Sequence, residues 1–325
     1  MKDKVLSFLI EQSDYISGEE ISQNLGVTRA CIWKAVKKLQ DEGYVIESST
    51  RKGYKLIERP NVITSLEVRE IISSKIFGKH IEYFNAVNST NEKAKELATN
   101  GAVEGTVILA DKQVSGKGRL GRGWSSPSKT GIWMSVILKP CILPQSASQI
   151  TLIAGLCMCE AIQAVTGLEA KIKWPNDIVV NGKKVCGILT EMSAEIERIN
   201  YIVLGIGVNV NQKAFPEYLP YATSLMIEGK KEYQRKYIIK DFLERFEKAY
   251  AAFCETENLV AILERYERNC ITLGKSVKII EQKGEYIAQA IGITSDGSLQ
   301  IVTQEGEERT VVSGEVSVRG LYGYI

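Results

Sequence analysis

The sequence predicts an α+β chain in three parts: an N-terminal winged helix-turn-helix, a central mixed-sheet α/β domain, and a C-terminal SH3-like β-barrel. Three observations lead there. Residues 1–60 carry two short helices separated by Gly26-Val27, followed by a basic hairpin. Between about 80 and 270, β-prone runs and helical periods alternate, but several neighbouring strands are joined by short turns, which argues for a mixed rather than a doubly wound sheet. From 271 to 325 the runs are short, β-prone and punctuated by glycine at close spacing, the pattern of a small antiparallel barrel.

In the first part, residues 4–12 form a helix with apolar Val5, Phe8 and Leu9. Ser17-Gly-Glu-Glu20 fits a capping box and opens a second helix ending near Leu25. Thr28 is a good N-cap for a third, through about Glu42, with Gly43 as its stop. On that helix Ile32, Val36 and Leu39 make an inward stripe. Arg29, Trp33 and Lys37 recur on another face with Lys34 beside them, and no acid occurs between Thr28 and Gln40. Runs at 44–47 and 53–56 form the hairpin, with Arg51 and Lys52 at its tip. Thr28, Arg29, Trp33, Lys34, Lys37, Arg51 and Lys52 are therefore the expected DNA-binding residues, in a helix that would enter the major groove and a wing beside it. A merely solvated lysine-rich helix is the alternative.

Pro60 and Asn61 mark a linker, taken as 61–79, which includes a connecting helix over 64–75 opened by a second capping box, Thr64-x-x-Glu67. Strands are expected at 81–84, 106–110, 132–138, 171–173, 177–180, 185–191 and 201–208, and helices at 91–98, 147–165, 235–256 and 259–269. The tail adds strands at 276–280, 286–293, 299–302, 308–312 and 316–320. Domain boundaries thus fall at 1–60, 61–270 and 271–325.

A net charge of +2 leaves no global field to attract nucleic acid or membrane, so any such binding is local. No run of about 18 apolar residues suggests a membrane helix. The seven cysteines include no CxxC pair, and His80 is the single histidine, which disfavours zinc and fits a reduced, cytoplasmic location.

The segment Ser115-Gly-Lys-Gly-Arg-Leu-Gly-Arg-Gly-Trp124 matches a dinucleotide fingerprint in its letters. Yet glycine, proline and serine beyond Gly121 prevent a helix, and no acid follows at ribose-binding distance. The only Gly-Lys-Ser, at 274–276, lacks the upstream glycine of a Walker loop. What remains is a basic loop whose glycines let the backbone approach an anion, with Trp124 available to cover a ring. A second run, 171–191, contains Asn181-Gly182 between two β-prone stretches, a type I′ hairpin signal. That register places Val180 opposite Lys183 and Val179 opposite Lys184, so Lys184 shares a face with Asp177 while Lys183 points away. Pro175 interrupts the preceding strand and leaves Asn176 at a bend.

These runs resemble the biotin–protein ligases of the bifunctional class that doubles as biotin operon repressor. The resemblance rests on Gly116–Arg122, Lys173-Trp-Pro-Asn-Asp177, Ser89-Thr-Asn91, Gly187-Ile-Leu189 and Gly207-x-Asn209, and it covers all three parts in order. It implies ATP-dependent conversion of biotin to biotinyl-5′-AMP, then transfer to a lysine of a biotin carboxyl carrier protein. It also implies operator DNA as a partner and a homodimer when the adenylate is bound. By family position, Ser89, Thr90, Asn91, Gln113, Gly116, Lys117, Gly118, Arg119, Lys184 and Gly187 would hold biotin. Arg119, Arg122, Trp124, Asn176 and Asn209 would serve ATP and the adenylate, with Lys184, Arg119 and Arg122 as the catalytic cations. Asp177 is either a Mg2+ or phosphate-side group or a polar hairpin residue. Lys117 and Leu120 depart from the arginines frequent in the family loop: lysine lacks the planar fork and leucine the charge. A ligand sensor without catalysis and a lipoate-ligase type are the alternatives; intact Lys184 and Arg119 speak against the first, the DNA module against the second.

Overall fold

The computed structural model describes residues 1–281, 284–313, 317–320 and Tyr324, and the chain divides into two compact units, Met1–Val62 and Ile63–Ile325. In the first unit α1 (Lys2–Glu11), α2 (Gly18–Leu25) and α3 (Arg29–Asp41) precede a hairpin of β1 (Val45–Ser49) and β2 (Gly53–Glu58). The Ser17 and Thr28 hydroxyls cap their helices. The Ser17 hydroxyl accepts from Glu20 N–H at 3.0 Å, Gly26 adopts φ 65°, and Thr28 accepts from Cys31 N–H at 3.3 Å. Ile32, Val36 and Leu39 are buried against α1 and α2.

The second unit begins with α4 (Ser65–Arg69), far shorter than the expected helix over 64–75. Thr64 caps it, accepting from the N–H of Glu67, whose side chain turns inward. It is fully buried and paired with Lys236 at 2.6 Å. There follow β3 (Ile81–Phe84), α5 (Thr90–Thr99), β4 (Val107–Ala110), β5 (Gly131–Leu138), α6 (Gln149–Thr166), β6 (Lys171–Lys173), β7 (Asp177–Val180), β8 (Lys183–Ala194), β9 (Ile199–Asn209), α7 (Leu225–Gly229), α8 (Arg235–Thr256) and α9 (Val260–Asn269). The seven strands form one sheet in the order β3-β4-β5-β9-β8-β7-β6, with β3 and β4 parallel and the rest antiparallel. The mixed sheet expected from short connections is therefore the one formed.

Alternation along the central strands assigns each face. Ile132, Met134, Val136 and Leu138 of β5, with Ile202, Leu204, Ile206 and Val208 of β9, enter the main core, which α6 and α8 share. On the opposite face Ile137 and Val203 pack under α5 with Ala94 and Ala98. α6, with the turn before it, is long and apolar enough to cross a membrane, a feature the sequence reading missed. Its most apolar window is 72% buried, so that apolarity lies in the core. Among the described residues, β10 (Ser276–Glu281), β11 (Gly284–Ile293), β12 (Leu299–Thr303), β13 (Glu308–Val311) and β14 (Ser317–Gly320) build an antiparallel SH3-like sheet ordered β13-β12-β11-β10-β14. Residue 316, the expected start of the last strand, lies outside the described residues. The main core runs on into this sheet through Val277, Ile279, Leu299 and Ile301. The Trp174 indole donates to Gly297 O across the junction.

Candidate active site and nucleic-acid face

A cavity of about 780 Å3 opens on the α5 face of the central sheet, roofed by the glycine loop. The loop is a hairpin folded on itself: Trp124 N–H donates to Gly116 O at 2.8 Å and Gly118 N–H to Arg122 O at 2.7 Å. A Cβ on Gly116 would sit 2.4 Å from the Trp124 carbonyl oxygen, so this closure requires glycine there. At the tip, Leu120 holds φ 56° and is 77% exposed, an apolar side chain in solvent. Lys117 reaches back to α5 and pairs with Glu92 at 2.5 Å.

Beneath the hairpin the sheet is bare. Gly187 of β8 and Gly207 of β9 are direct cross-strand partners, and the Trp124 indole lies over both. A Cβ on Gly207 would come within 2.4 Å of the indole Nε1, and one on Gly187 within 3.1 Å of its Cζ3. The Trp124 indole N–H is buried and meets no acceptor among the described residues.

The charged groups converge from the hairpin after β7. Asn181 and Gly182 take φ 49° and 73°, and Val180–Lys183 and Val179–Lys184 pair as predicted. A bulge then shifts the register, so that Ile178 faces Cys186 and Asp177 faces Gly187. Lys184 Nζ lies 2.5 Å from Asp177, on the face they were expected to share, and 5.2 Å from the Trp124 ring. The Trp174–Pro175 peptide is cis. Asn176 accepts from Arg119 Nη1 at 3.0 Å and donates to Ile188 O at 2.9 Å, tying the loop arginine to β8. Burial lowers the Arg119 guanidinium pKa, Asp177 opposes that, and nearby Arg122 adds to it. Arg122 itself is exposed. Asn209 is buried and donates to Thr223 O, holding the 211–224 loop at the rim.

At the other end, Ser89 precedes α5 without capping it; Gln113 Oε1 instead accepts from Thr90 N–H at 2.8 Å. Ser89, Thr90, Asn91, Gln113, Lys117, Gly118, Arg119, Arg122, Trp124, Asn176, Asp177, Lys184, Gly187 and Asn209 all border this one cavity, and Gly116 lies under its roof. Residues sequence reading missed border it too. Gly205 was legible in the Gly-Ile-Gly alternation of β9. Tyr221 and Tyr324 were not: they stack at 5.6 Å, and the Tyr324 hydroxyl donates to Asp177. Among the described residues no group of three metal-ligating side chains occurs, and Asp177 has Lys184 and Tyr324 beside it.

In the first unit, Thr28, Arg29, Trp33, Lys34, Lys37, Arg51 and Lys52 are all exposed, Trp33 at 57%. Arg29 pairs with Glu19 at 3.7 Å, and Lys52 lies over the Tyr15 ring at 5.3 Å.

A mixed sheet with a basic glycine hairpin over paired glycines defines a protein of the biotin/lipoate A/B protein ligase class, whose family model matches residues 83–209. Models of an HTH domain and of a biotin protein ligase C terminal domain match residues 2–55 and 272–319. The chain is 40% identical to the bifunctional ligase/repressor BirA of Bacillus spizizenii over 94% of both chains. It is 27% identical to that of Escherichia coli over 98% of this chain and 99% of the other. The biotin protein ligase of Aquifex aeolicus in complex with biotin and ATP covers 74% of this chain and 99% of its own, at 32% identity and TM-score 0.66. The chain belongs to the family of bifunctional ligase/repressor BirA proteins.

Proposed function

We propose that this chain is a biotin–protein ligase that also represses transcription in response to biotin. The observation that carries the reading is the convergence of Lys184, Arg119 and the basic glycine hairpin on one cavity next to a flat aromatic seat. Biotin's carboxylate oxygen attacks the α-phosphorus of ATP and pyrophosphate leaves. The ε-amine of a carrier lysine then attacks the acyl carbon of biotinyl-5′-AMP and AMP leaves. Neither step needs an enzyme nucleophile; both need positioning and cations where phosphate charge builds up. Lys184 bridges the biotin carboxylate and the α-phosphate, and Arg119 and Arg122 hold phosphate. Trp124, Asn176 and Asn209 serve the nucleotide, and Ser89, Thr90, Asn91, Gln113, the 116–118 backbone and Gly187 hold biotin. Asp177 would be the residue beside Mg2+ arriving with the nucleotide, and the ion would offset phosphate charge there. Seven free cysteines accord with a cytoplasmic location.

The exposed basic face of α3 and the wing tip bind operator DNA. The adenylate-bound chain dimerises through an edge of the central sheet and presents two modules to a two-fold site. Two assays test this reading. With ATP, Mg2+ and biotin, the chain should biotinylate a carrier domain, detected by streptavidin. Sedimentation with and without biotinyl-5′-AMP should reveal adenylate-dependent dimers. No labelling refutes the ligase reading, and an unchanged monomer at operator-binding concentrations refutes the dimer.

A further inference from the structure

Behind the cavity wall runs a chain of polar side chains, half-buried at Lys95 and Glu191 and buried at Asn91 and Ser135, whose hydrogen-bond directions are fixed from one end. Lys95 Nζ donates to Glu191 at 2.5 Å, and Asn91 Nδ2 donates to the other Glu191 oxygen at 2.8 Å and to Leu189 O at 3.3 Å. Burial pushes the Glu191 carboxyl up, but the bonds from Lys95 and Asn91 outweigh it and hold it below its ordinary 4.5, so it is ionised at neutral pH. A carboxylate and a carbonyl only accept, so the Asn91 NH2 must face β8 and its Oδ1 must face β5. Gly205 leaves room for this: a Cβ there would lie 2.1 Å from Asn91 Oδ1.

Ser135 is fully buried in β5, 2.6 Å from Asn91 Oδ1 and 2.8 Å from Thr90 Oγ1. It has one proton, and Asn91 Oδ1 can only accept, so that proton goes to Asn91. Thr90 must then donate its own proton inward, to Ser135 or to Gln113 Oε1 at 3.1 Å, which leaves its remaining lone pair as an acceptor toward the cavity. Gln113 is oriented independently. Its Oε1 takes Thr90 N–H, so Nε2 faces away, giving one proton to Ser126 at 2.8 Å and keeping the second. Thr90 and Gln113 border the cavity, whereas Ser135 and Glu191 stand behind it.

We infer that Ser135 and Glu191 are positioning residues that set acid specificity: through Asn91 they fix Thr90 as an acceptor next to Gln113 as a donor, the complement of the N–H and C=O of a cyclic urea. An acid whose ring lacks N–H, such as a dithiolane acid, matches neither. The inference rests on the ligase reading and adds how the site chooses its acid.

The test uses full-length Ser135→Ala, Ser135→Thr and Glu191→Gln. It measures biotin and lipoate affinity by calorimetry and the KM values for biotin and ATP in pyrophosphate exchange. Ser135→Ala should weaken biotin about tenfold, the effect of one lost buried hydrogen-bond partner, with the ATP KM and lipoate affinity unchanged. Ser135→Thr, which restores the hydroxyl, should recover most of the loss. Glu191→Gln, whose amide can donate as well as accept, should shift biotin in the same direction by less, and it carries the test if Ser135→Ala does not fold. Biotin and ATP constants moving together, or biotin affinity unchanged, overturns the inference while leaving the ligase reading intact. A wild type that binds no biotin overturns both.

Discussion

Gly207→Ala tests the seat under Trp124. The added Cβ would lie 2.4 Å from the indole Nε1, 2.7 Å from Cε2 and 3.1 Å from Cζ2, where ordinary contact begins near 3.4 Å. The ring must retreat by about 1 Å, and overpacking of that size costs about 1–3 kcal/mol. The Trp124 backbone cannot follow, because its N–H is held by Gly116 O and its carbonyl by the Ser126 hydroxyl. The ring itself therefore has to move away from β9. If Trp124 walls the nucleotide, the ATP KM should rise by about 5- to 150-fold, the equivalent of that energy. Gly187→Ala meets the ring only at 3.1 Å and should do less. Exchange kinetics, with thermal melts to confirm folding, decide the order. A folded Gly207→Ala with the wild-type ATP KM, or one milder than Gly187→Ala, would mean that Trp124 does not wall the nucleotide.

Three further outcomes are expected. Lys236→Met removes the lysine 2.6 Å from the fully buried Glu67 carboxylate and should lower stability in urea by about 1–3 kcal/mol, the cost of one lost charge-assisted partner. Glu247 accepts from the N–H groups of Lys75, Ile76 and Phe77; burial raises its carboxyl, but these bonds outweigh it and hold it below 4.5. A depressed acid stabilises above the unfolded value and loses that effect as pH falls through the folded one. Glu247→Gln should thus cost about 1–3 kcal/mol at pH 7, and the difference from wild type should shrink below pH 4.5 in urea melts at several pH values. Lys37→Ala should weaken operator binding on any sequence and reduce the salt slope by about 1, read from titrations at several salt concentrations.

The parts of this account legible in sequence are those set by local rules. α8 occupies the predicted 235–256, and Asn181-Gly182 fixes its turn and the first two pairs of its hairpin. What was hidden depends on partners distant in sequence. α4 stops early, and the Glu67 of its capping box is drawn to Lys236, 169 residues away. Gln113, not Ser89, satisfies the start of α5. Lys184 meets Asp177 on the shared face that the turn register predicts, but the bulge beyond Lys184 has no signature in the residues of β8, and Tyr324 reaches Asp177 from the far end of the chain. Ser135, in an otherwise apolar strand, was the one visible hint of the polar chain, but its partners come from α5 and β8.

The central claim is that Lys184, held beside Asp177 at 2.5 Å, serves an adenylating site for biotin. Pyrophosphate exchange into ATP with Mg2+, measured with biotin, with lipoate and with no acid, in wild type and Lys184→Ala, tests it most directly. Exchange should require biotin and fall by about 100-fold or more in the variant, as when one preorganised charge-stabilising group is removed. Biotin-dependent exchange that survives Lys184→Ala, or no exchange with either acid, would contradict it.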